Sequence, residues 1–256
     1  MSLFFDNDSL TRQTDSVDRK DRAMRSVLTA ITILATMACG VSRAEEYLDP
    51  DLCPGVWYTS ESAESPEGKG CLTELQKKTG TIAATIKSPY ARLVEGVVHL
   101  VEVPGKKFQL PWKNPVQDQK NLIFAPHVQG LLLGSTVDFP NSDSVRHNVF
   151  SPPPTGQAFN LGTYPPEEVK HVTFENLGVV PLGCNVHTEM SAYLVVLPHP
   201  FFATTDKKTR QAVIRNVPPG QYKVSFFHEK LQPKELDVTV EAGKEAVLEF
   251  SDLEKK

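Results

Sequence analysis

Short apolar segments broken by Pro, Gly and Asn/Asp clusters run along the chain from about residue 80 to the C-terminus. Residues 81–86 and 96–103 read as strands: Val97, Val98, Leu100, Val101 and Val103 are apolar with a β-branched bias, and Pro104-Gly105 ends the run. Residues 108–119 contain Pro111, Trp112 and Pro115 and read as a loop. Residues 122–124 and 131–139 are strand candidates; Gly134 interrupts the second, and Val137 and Phe139 alternate with Thr136 and Asp138. Pro140-Asn141-Ser142-Asp143 predicts a turn, and residues 145–150 a short strand stopped by Ser151-Pro152-Pro153-Pro154-Thr155-Gly156. Residues 169–175, 178–182 and 192–197 complete this stretch. Beyond it, residues 212–214, 222–227, 236–240 and 246–250 form a second pattern, in which Tyr222, Val224 and Phe226 alternate with Lys223 and Ser225. Val217-Pro218-Pro219-Gly220 predicts a turn and Ala242-Gly243-Lys244 a hairpin. Short strands without a convincing amphipathic helix predict an all-β fold of the sandwich kind.

The N-terminal part follows different rules. Arg25 precedes an apolar run over residues 26–38, and Val41-Ser42-Arg43-Ala44 places small residues three and one positions before Glu45. This is the order of a secretory signal, so residues 1–44 are expected to be a leader and the protein to be periplasmic. The run is shorter than the roughly 20 residues of a membrane span, so no transmembrane span is expected after cleavage. Residues 1–23 are polar and rich in Asp, and translation is expected to start at Met24.

Export makes the cysteines informative. Cys39 leaves with the leader. Cys53 and Cys71 flank a Gly/Ser/Pro-rich stretch and are expected to form a disulfide, closing an irregular extension over residues 45–78; the alternative, a metal pair, lacks a nearby Cys or His to complete it. Cys184 is left over, either as a buried inert thiol or as a metal ligand. Hydrophobic residues make up 40% of the chain, enough for a core, and a net charge of −4 gives no electrostatic case for nucleic acid.

Cys184-Asn185-Val186-His187-Thr188-Glu189-Met190 then sets a thiolate, an imidazole and a thioether at intervals of three. Copper cycling between Cu(I) and Cu(II) favours one thiolate, two imidazoles and a weak thioether, and His147 is the candidate for the second imidazole. Met1, Met24 and Met37 lie in the leader, which leaves Met190 as the one Met of the mature chain. Its other reading is a core filler. His127 is assigned a structural hydrogen bond, and His99, His171, His199 and His228 are expected to be polar surface groups. No zinc spacing, nucleophile elbow or phosphate loop is present, and no enzyme activity is expected.

Residues 121–197 resemble the plastocyanin-like cupredoxins. The resemblance rests on Phe124-Ala125-Pro126-His127, on Gly134 with Val137-Asp138-Phe139-Pro140-Asn141, on His147-Asn148-Val149-Phe150, on Gly178, and on Cys184-x-x-His187-x-x-Met190, whose spacing matches the short ligand loop of amicyanin-type proteins. It implies a Greek-key β-sandwich over residues 79–197 holding one mononuclear type 1 copper. His147, Cys184 and His187 would form the trigonal plane, with Met190 axial and Asn148 tying the ligand loops together. Asn185 departs from the Ser or Thr usual after the Cys. The resemblance further implies single-electron transport with a redox partner such as a c-type cytochrome or a dehydrogenase. Docking would occur at an apolar patch around His187, for which Pro181, Leu182 and Pro152, Pro153 and Pro154 are candidates.

The mature chain also resembles a bacterial group that combines a cupredoxin with a carboxypeptidase-regulatory-like small β-sandwich. Phe202-Ala203-Thr204-Thr205-Asp206 and Asn216-Val217-Pro218-Pro219-Gly220-Gln221-Tyr222 carry that likeness, which covers residues 198–256. Residues 79–103 could supply its first strands, making the copper module an insertion. The rival functions are a copper carrier or storage protein and a cell-envelope interaction module.

Overall fold

The computed structural model describes residues 66–88, 95–104, 108, 110–111 and 113–256. The expected leader, the start at Met24 and Cys53 lie outside the described residues, so the expected disulfide to Cys71 does too. Among the described residues the fold is all-β apart from one helix, α1 (Pro66–Lys78). The irregular extension expected up to residue 78 therefore ends in 13 helical residues. Local chemistry explains them. Pro66 opens the helix, where a missing N–H costs nothing. Lys77 and Lys78 occupy the last turn, where cations oppose the helix dipole, and Lys77 pairs with Glu74 at 2.7 Å. Leu75 is buried, and its carbonyl accepts both the N–H and the hydroxyl of Thr79 (2.9 and 2.7 Å), which caps the end.

The strands form three larger sheets. The first joins β1 (Gly80–Ile86), β13 (Gln211–Val217) and β16 (Glu245–Phe250), with β1 in the middle, antiparallel to β13 and parallel to β16. The second runs β12 (Phe202–Thr204), β2 (Val97–Leu100), β14 (Gly220–His228) and β15 (Leu231–Val240), all antiparallel. Thus β1 and β2, which precede the copper-type motif in sequence, pair with strands that follow it. Ile82, Ile86, Leu100, Ile214, Val224 and Phe226 belong to one core shared by the two sheets. The hairpin expected at Ala242-Gly243-Lys244 is not one. The turn, with Gly243 at φ +68°, carries the chain from β15 in one sheet to β16 in the other, and β16 pairs with β1. Crossing between layers lets the Leu248 and Phe250 side of β16 close the shared core.

The third sheet holds β5 (Val128–Leu132), β11 (Ser191–Leu197), β10 (Gly178–Gly183), β7 (His147–Ser151) and β8 (Phe159–Tyr164), in that order. Two ribbons accompany it, β3 (Asp118–Lys120) with β4 (Ile123–Ala125), and β6 (Thr136–Pro140) with β9 (Val169–Thr173). The single strand expected over 131–139 is broken at Gly134, which adopts φ +89° and donates its N–H to Phe174 O at 2.7 Å. β5 and β6 consequently lie in different sheets. Phe124, Val137, Phe139, Phe174, Cys184 and Met190 share the core of this part. Tyr164 pins it from β8: its hydroxyl donates to Phe139 O at 3.1 Å and accepts from Gln119 Nε2, and burial pushes its phenol pKa up.

The two cores meet at Val97, Val128, Val195, Leu197 and Phe227. Gly130 is required there, because a Cβ would come within 2.5 Å of the Phe202 ring. Among the described residues no helix is long and apolar enough to cross a membrane.

Candidate metal centre

β7 starts at His147, and β10 ends at Gly183, which pairs with Phe150 of β7. That pairing needs the glycine, since a Cβ would meet the Phe150 ring at 2.9 Å. The loop 184–190 therefore leaves β10 directly beside β7. Its first residue, Cys184, is buried, and the Asn148 N–H points to its sulfur at 3.4 Å. His147 is fully buried, and its Nδ1 lies 3.0 Å from His187 Nδ1 and 4.0 Å from Cys184 Sγ. The three donor atoms fall within 4.8 Å of one another. Met190 is buried in the same core cluster as Cys184, and its N–H donates to His187 O at 3.1 Å, closing the loop tightly. His187 is half-buried beside the exposed Val186.

The donors fit a metal ion. Two imidazole nitrogens held at about 2 Å from one ion sit about 3 Å apart, and a thiolate at about 2.3 Å sits roughly 3.5–4 Å from each; the 3.0 Å His147–His187 and 4.0 Å His147–Cys184 separations match these values, while the full set spans up to 4.8 Å. The second nitrogen of His147 supports the same reading. Nε2 donates to Asp143 Oδ2 at 3.1 Å, which leaves the Nδ1 lone pair facing inward. Asp143 is itself fixed by the N–H groups of Leu122 and Ser144, each at 2.8 Å; these bonds, and then His147, hold its carboxyl below the usual range. One thiolate and two imidazoles with a nearby thioether suit copper better than a hard cation.

Asn148 ties the two ligand segments, as its Oδ1 accepts the Asn185 N–H at 3.2 Å. Its Nδ2 donates to Asn160 Oδ1 at 2.8 Å, which also accepts the Gly162 N–H at 2.9 Å. Asn160 and Asp143 were not foreseen as parts of the site. Asp143 carried a signal, sitting four residues before His147 on a turn. Asn160 carried none, because β8 itself was not foreseen.

The remaining histidines divide differently from expectation. His171 is exposed and meets Asp138 at 2.7 Å. His127 makes hydrogen bonds through both ring nitrogens, to Ser191 O and Glu229. His199 and His228 are not surface groups: they are 2% and 1% exposed, and burial pulls each pKa down to about 4. His99 is partly buried, and burial lowers its pKa as well. His199 packs against Phe108 and Phe201 and His228 against Phe226, where packing outweighs the solvation of an imidazole. Of the expected docking residues, Pro152, Pro153 and Pro154 are exposed and Pro181 is half-buried, but Leu182 is buried, because its side of β10 faces the core.

We expect Asp143→Asn to weaken metal binding at this centre about 10- to 100-fold, the usual cost of losing the partner that orients a ligating imidazole. A chelator competition titration measures it, and a change below twofold would confine Asp143 to shaping its turn.

No family model matches the chain, and no curated protein matches it. Solved structures do. A copper-containing nitrite reductase from Thermus scotoductus SA-01 aligns at 24% identity over 38% of this chain and 25% of its own, with a TM-score of 0.33. A purple cupredoxin from Nitrosopumilus maritimus aligns at 22% identity over 33% of this chain and all of its own (100%), at 0.30. A proline-to-glycine variant of amicyanin, in its reduced Cu(I) form, aligns at 21% identity over 35% of this chain and 87% of its own, at 0.32. The chain thus spans a quarter of the nitrite reductase.

Proposed function

We propose that this chain is a periplasmic type 1 copper protein that carries single electrons between redox partners, such as a c-type cytochrome and a dehydrogenase, without substrate turnover. The convergence of His147 Nδ1, His187 Nδ1 and Cys184 Sγ within 4.8 Å carries the reading. His147, Cys184 and His187 would hold the metal, with Met190 as a weak further donor. Bound copper supplies a one-electron couple. The protein contributes a pre-formed set of donors, two buried and one half-buried, that would change little between the two oxidation states. Cys184 gives up its proton on metal binding, Asp143 keeps the Nδ1 of His147 free, and Asn148 holds the two ligand segments in register. His187, half-buried next to exposed Val186, is the point of electron entry and exit.

The remaining organisation follows from the same reading. Residues 1–44 are a cleaved leader, Cys53 pairs with Cys71, and β1, β2 and β12–β16 make a carboxypeptidase-regulatory-like sandwich into which the copper module is inserted. The strand pairing of β1 and β2 supports the insertion.

The test is an absorption and EPR spectrum of the purified, copper-loaded chain. Strong visible thiolate-to-copper charge transfer is expected on oxidation. A protein that binds only Cu(I) and stays colourless with oxidants would be a carrier or store instead. Met190→Leu should retain copper and raise its reduction potential, since a donor to Cu(II) is lost, by about 59 mV per tenfold change in relative affinity. A lower potential would mean that Met190 is not a donor to the copper.

A further inference from the structure

We propose that the sandwich built from β1, β2 and β12–β16 acts on the metal centre through two positioning residues, His127 and Glu229, which hold the chain where it leaves the ligand loop. The proposal rests on the copper reading of that centre.

Ser191 directly follows Met190, and its carbonyl meets His127 Nδ1 at 3.0 Å. The His127 carbonyl in turn accepts the Tyr193 N–H at 2.9 Å. One residue therefore grips both alternate positions after the last proposed ligand. The other side of the His127 ring faces Glu229, with Nε2 at 3.2 Å from Oε2, and Glu229 belongs to the turn between β14 and β15. A carbonyl and a carboxylate can only accept, and a neutral imidazole carries one N–H, so the ring donates to one of them when neutral and to both only when protonated. The chain of contacts Glu229–His127–Ser191 runs from one sandwich to the metal loop of the other.

The junction is built rather than incidental. The side chains of His127 and Glu229 are 22% and 11% exposed, so solvent screening is weak. Burial would raise the Glu229 carboxyl pKa, but hydrogen bonds from Lys230 and His127 outweigh it and keep the pKa below the usual range. A second carboxylate braces the same segment. Glu95 Oε2, just before β2, accepts the N–H groups of His127 and Val128 at 3.0 and 3.4 Å, and Glu95 pairs with Lys207 at 3.3 Å. The Tyr193 ring stands edge-on to the His127 ring, with centroids 5.7 Å apart.

The consequence is specific to the metal. The start of the ligand loop is fixed by Gly183 against Phe150 and by Asn148. Its end is fixed by β11 and by His127. Three proposed ligands sit between these anchors, and the last of them is adjacent to the residue His127 holds. Releasing that end changes the distance and direction of the weakest ligand first, which is the ligand that tunes potential.

Three full-length variants test this. Glu229→Ala removes the relay, Glu229→Gln keeps an acceptor while removing its charge, and Lys207→Ala disturbs the junction without touching the Ser191 bond. In copper-loaded protein, Glu229→Ala should shift the reduction potential and the Cu(II) EPR signal from wild type, with Glu229→Gln intermediate and Lys207→Ala unchanged. In metal-free protein, Glu229→Ala should speed amide exchange at Met190 and Tyr193 about two- to tenfold, as expected for losing one net hydrogen bond. If Glu229→Ala does not fold, Glu229→Gln carries the same readouts. Folded Glu229 variants with wild-type potential, EPR and exchange rates would overturn the proposal, as would an equal spectral shift in Lys207→Ala. A wild-type protein that never turns blue would instead overturn the copper reading, while exchange in the metal-free chain still reports on the relay.

Discussion

Cys184→Ser is expected to give a folded, colourless protein that no longer binds Cu(II) tightly. The thiolate is the one soft, strongly donating ligand in the set, and a serine hydroxyl neither ionises at neutral pH nor replaces sulfur's covalency with copper. Affinity should fall by more than the roughly 100-fold that losing an outer partner costs. The fold should survive, because serine is smaller than cysteine and the Asn148 N–H, now 3.4 Å from the sulfur, offers the hydroxyl a partner. Burying that hydroxyl at a site 3% exposed should cost on the order of 1 kcal/mol, which thermal unfolding of the metal-free proteins measures. Retained visible absorption in the variant would mean that Cys184 is not a donor, and the site would have to be sought elsewhere.

The strands carrying that site were legible because each obeys one simple rule. β1 alternates strictly, and its buried Ile82, Ala84 and Ile86 match apolar positions in the sequence. Cys184 and His187 stood out through residue type and spacing, since few structural roles need a Cys and a His three apart beside a strand, whereas His147 was a candidate by residue type and through the resemblance of residues 121–197. What stayed hidden depended on tertiary context. β8 contains Asn160, Gly162 and Thr163 and buries mainly Tyr164, so no period marks it; its partner β7 makes it a strand. α1 has a weakly apolar face and is marked chiefly by its last-turn lysines. The turn after β15 has hairpin chemistry, yet which sheet the next strand joins is decided by β1, more than a hundred residues earlier. The buried histidines show the same limit from the other side. An imidazole among Phe108 and Phe201 has no sequence signature that separates it from one in water.

Those rings lead to the second large effect, a loss of stability in mild acid. His199 and His228 titrate near 6.5 in an unfolded chain and near 4 in the folded one. Burial dominates both shifts. The neighbouring His99 adds to the shift of His199. At His228, Lys230, Lys256 and His127 push the same way, and Glu229 opposes them. Between these limits the unfolded chain takes up protons that the folded protein refuses. Stability is therefore complete above pH 6.5 and falls as the pH drops towards about 4, by up to about 1.4 kcal/mol per pH unit for each ring. Denaturant titrations of the metal-free protein at pH 7, 6 and 5 measure the slope. His199→Phe isolates the His199 share: neither ring nitrogen of His199 makes a well-formed hydrogen bond, backbone groups of Leu100 and Val101 offset its burial only in part, and its neighbours Phe108 and Phe201 already suit an aromatic replacement. The variant should be at least as stable as wild type at pH 7 and clearly more stable at pH 5, because a buried group that water would have solvated has been removed along with its titration. His228 permits no such exchange, since its Nδ1 accepts the Lys230 N–H at 3.1 Å and a phenyl ring would strand that donor. Equal slopes for wild type and His199→Phe would mean that water reaches the His199 ring and solvates its charged form.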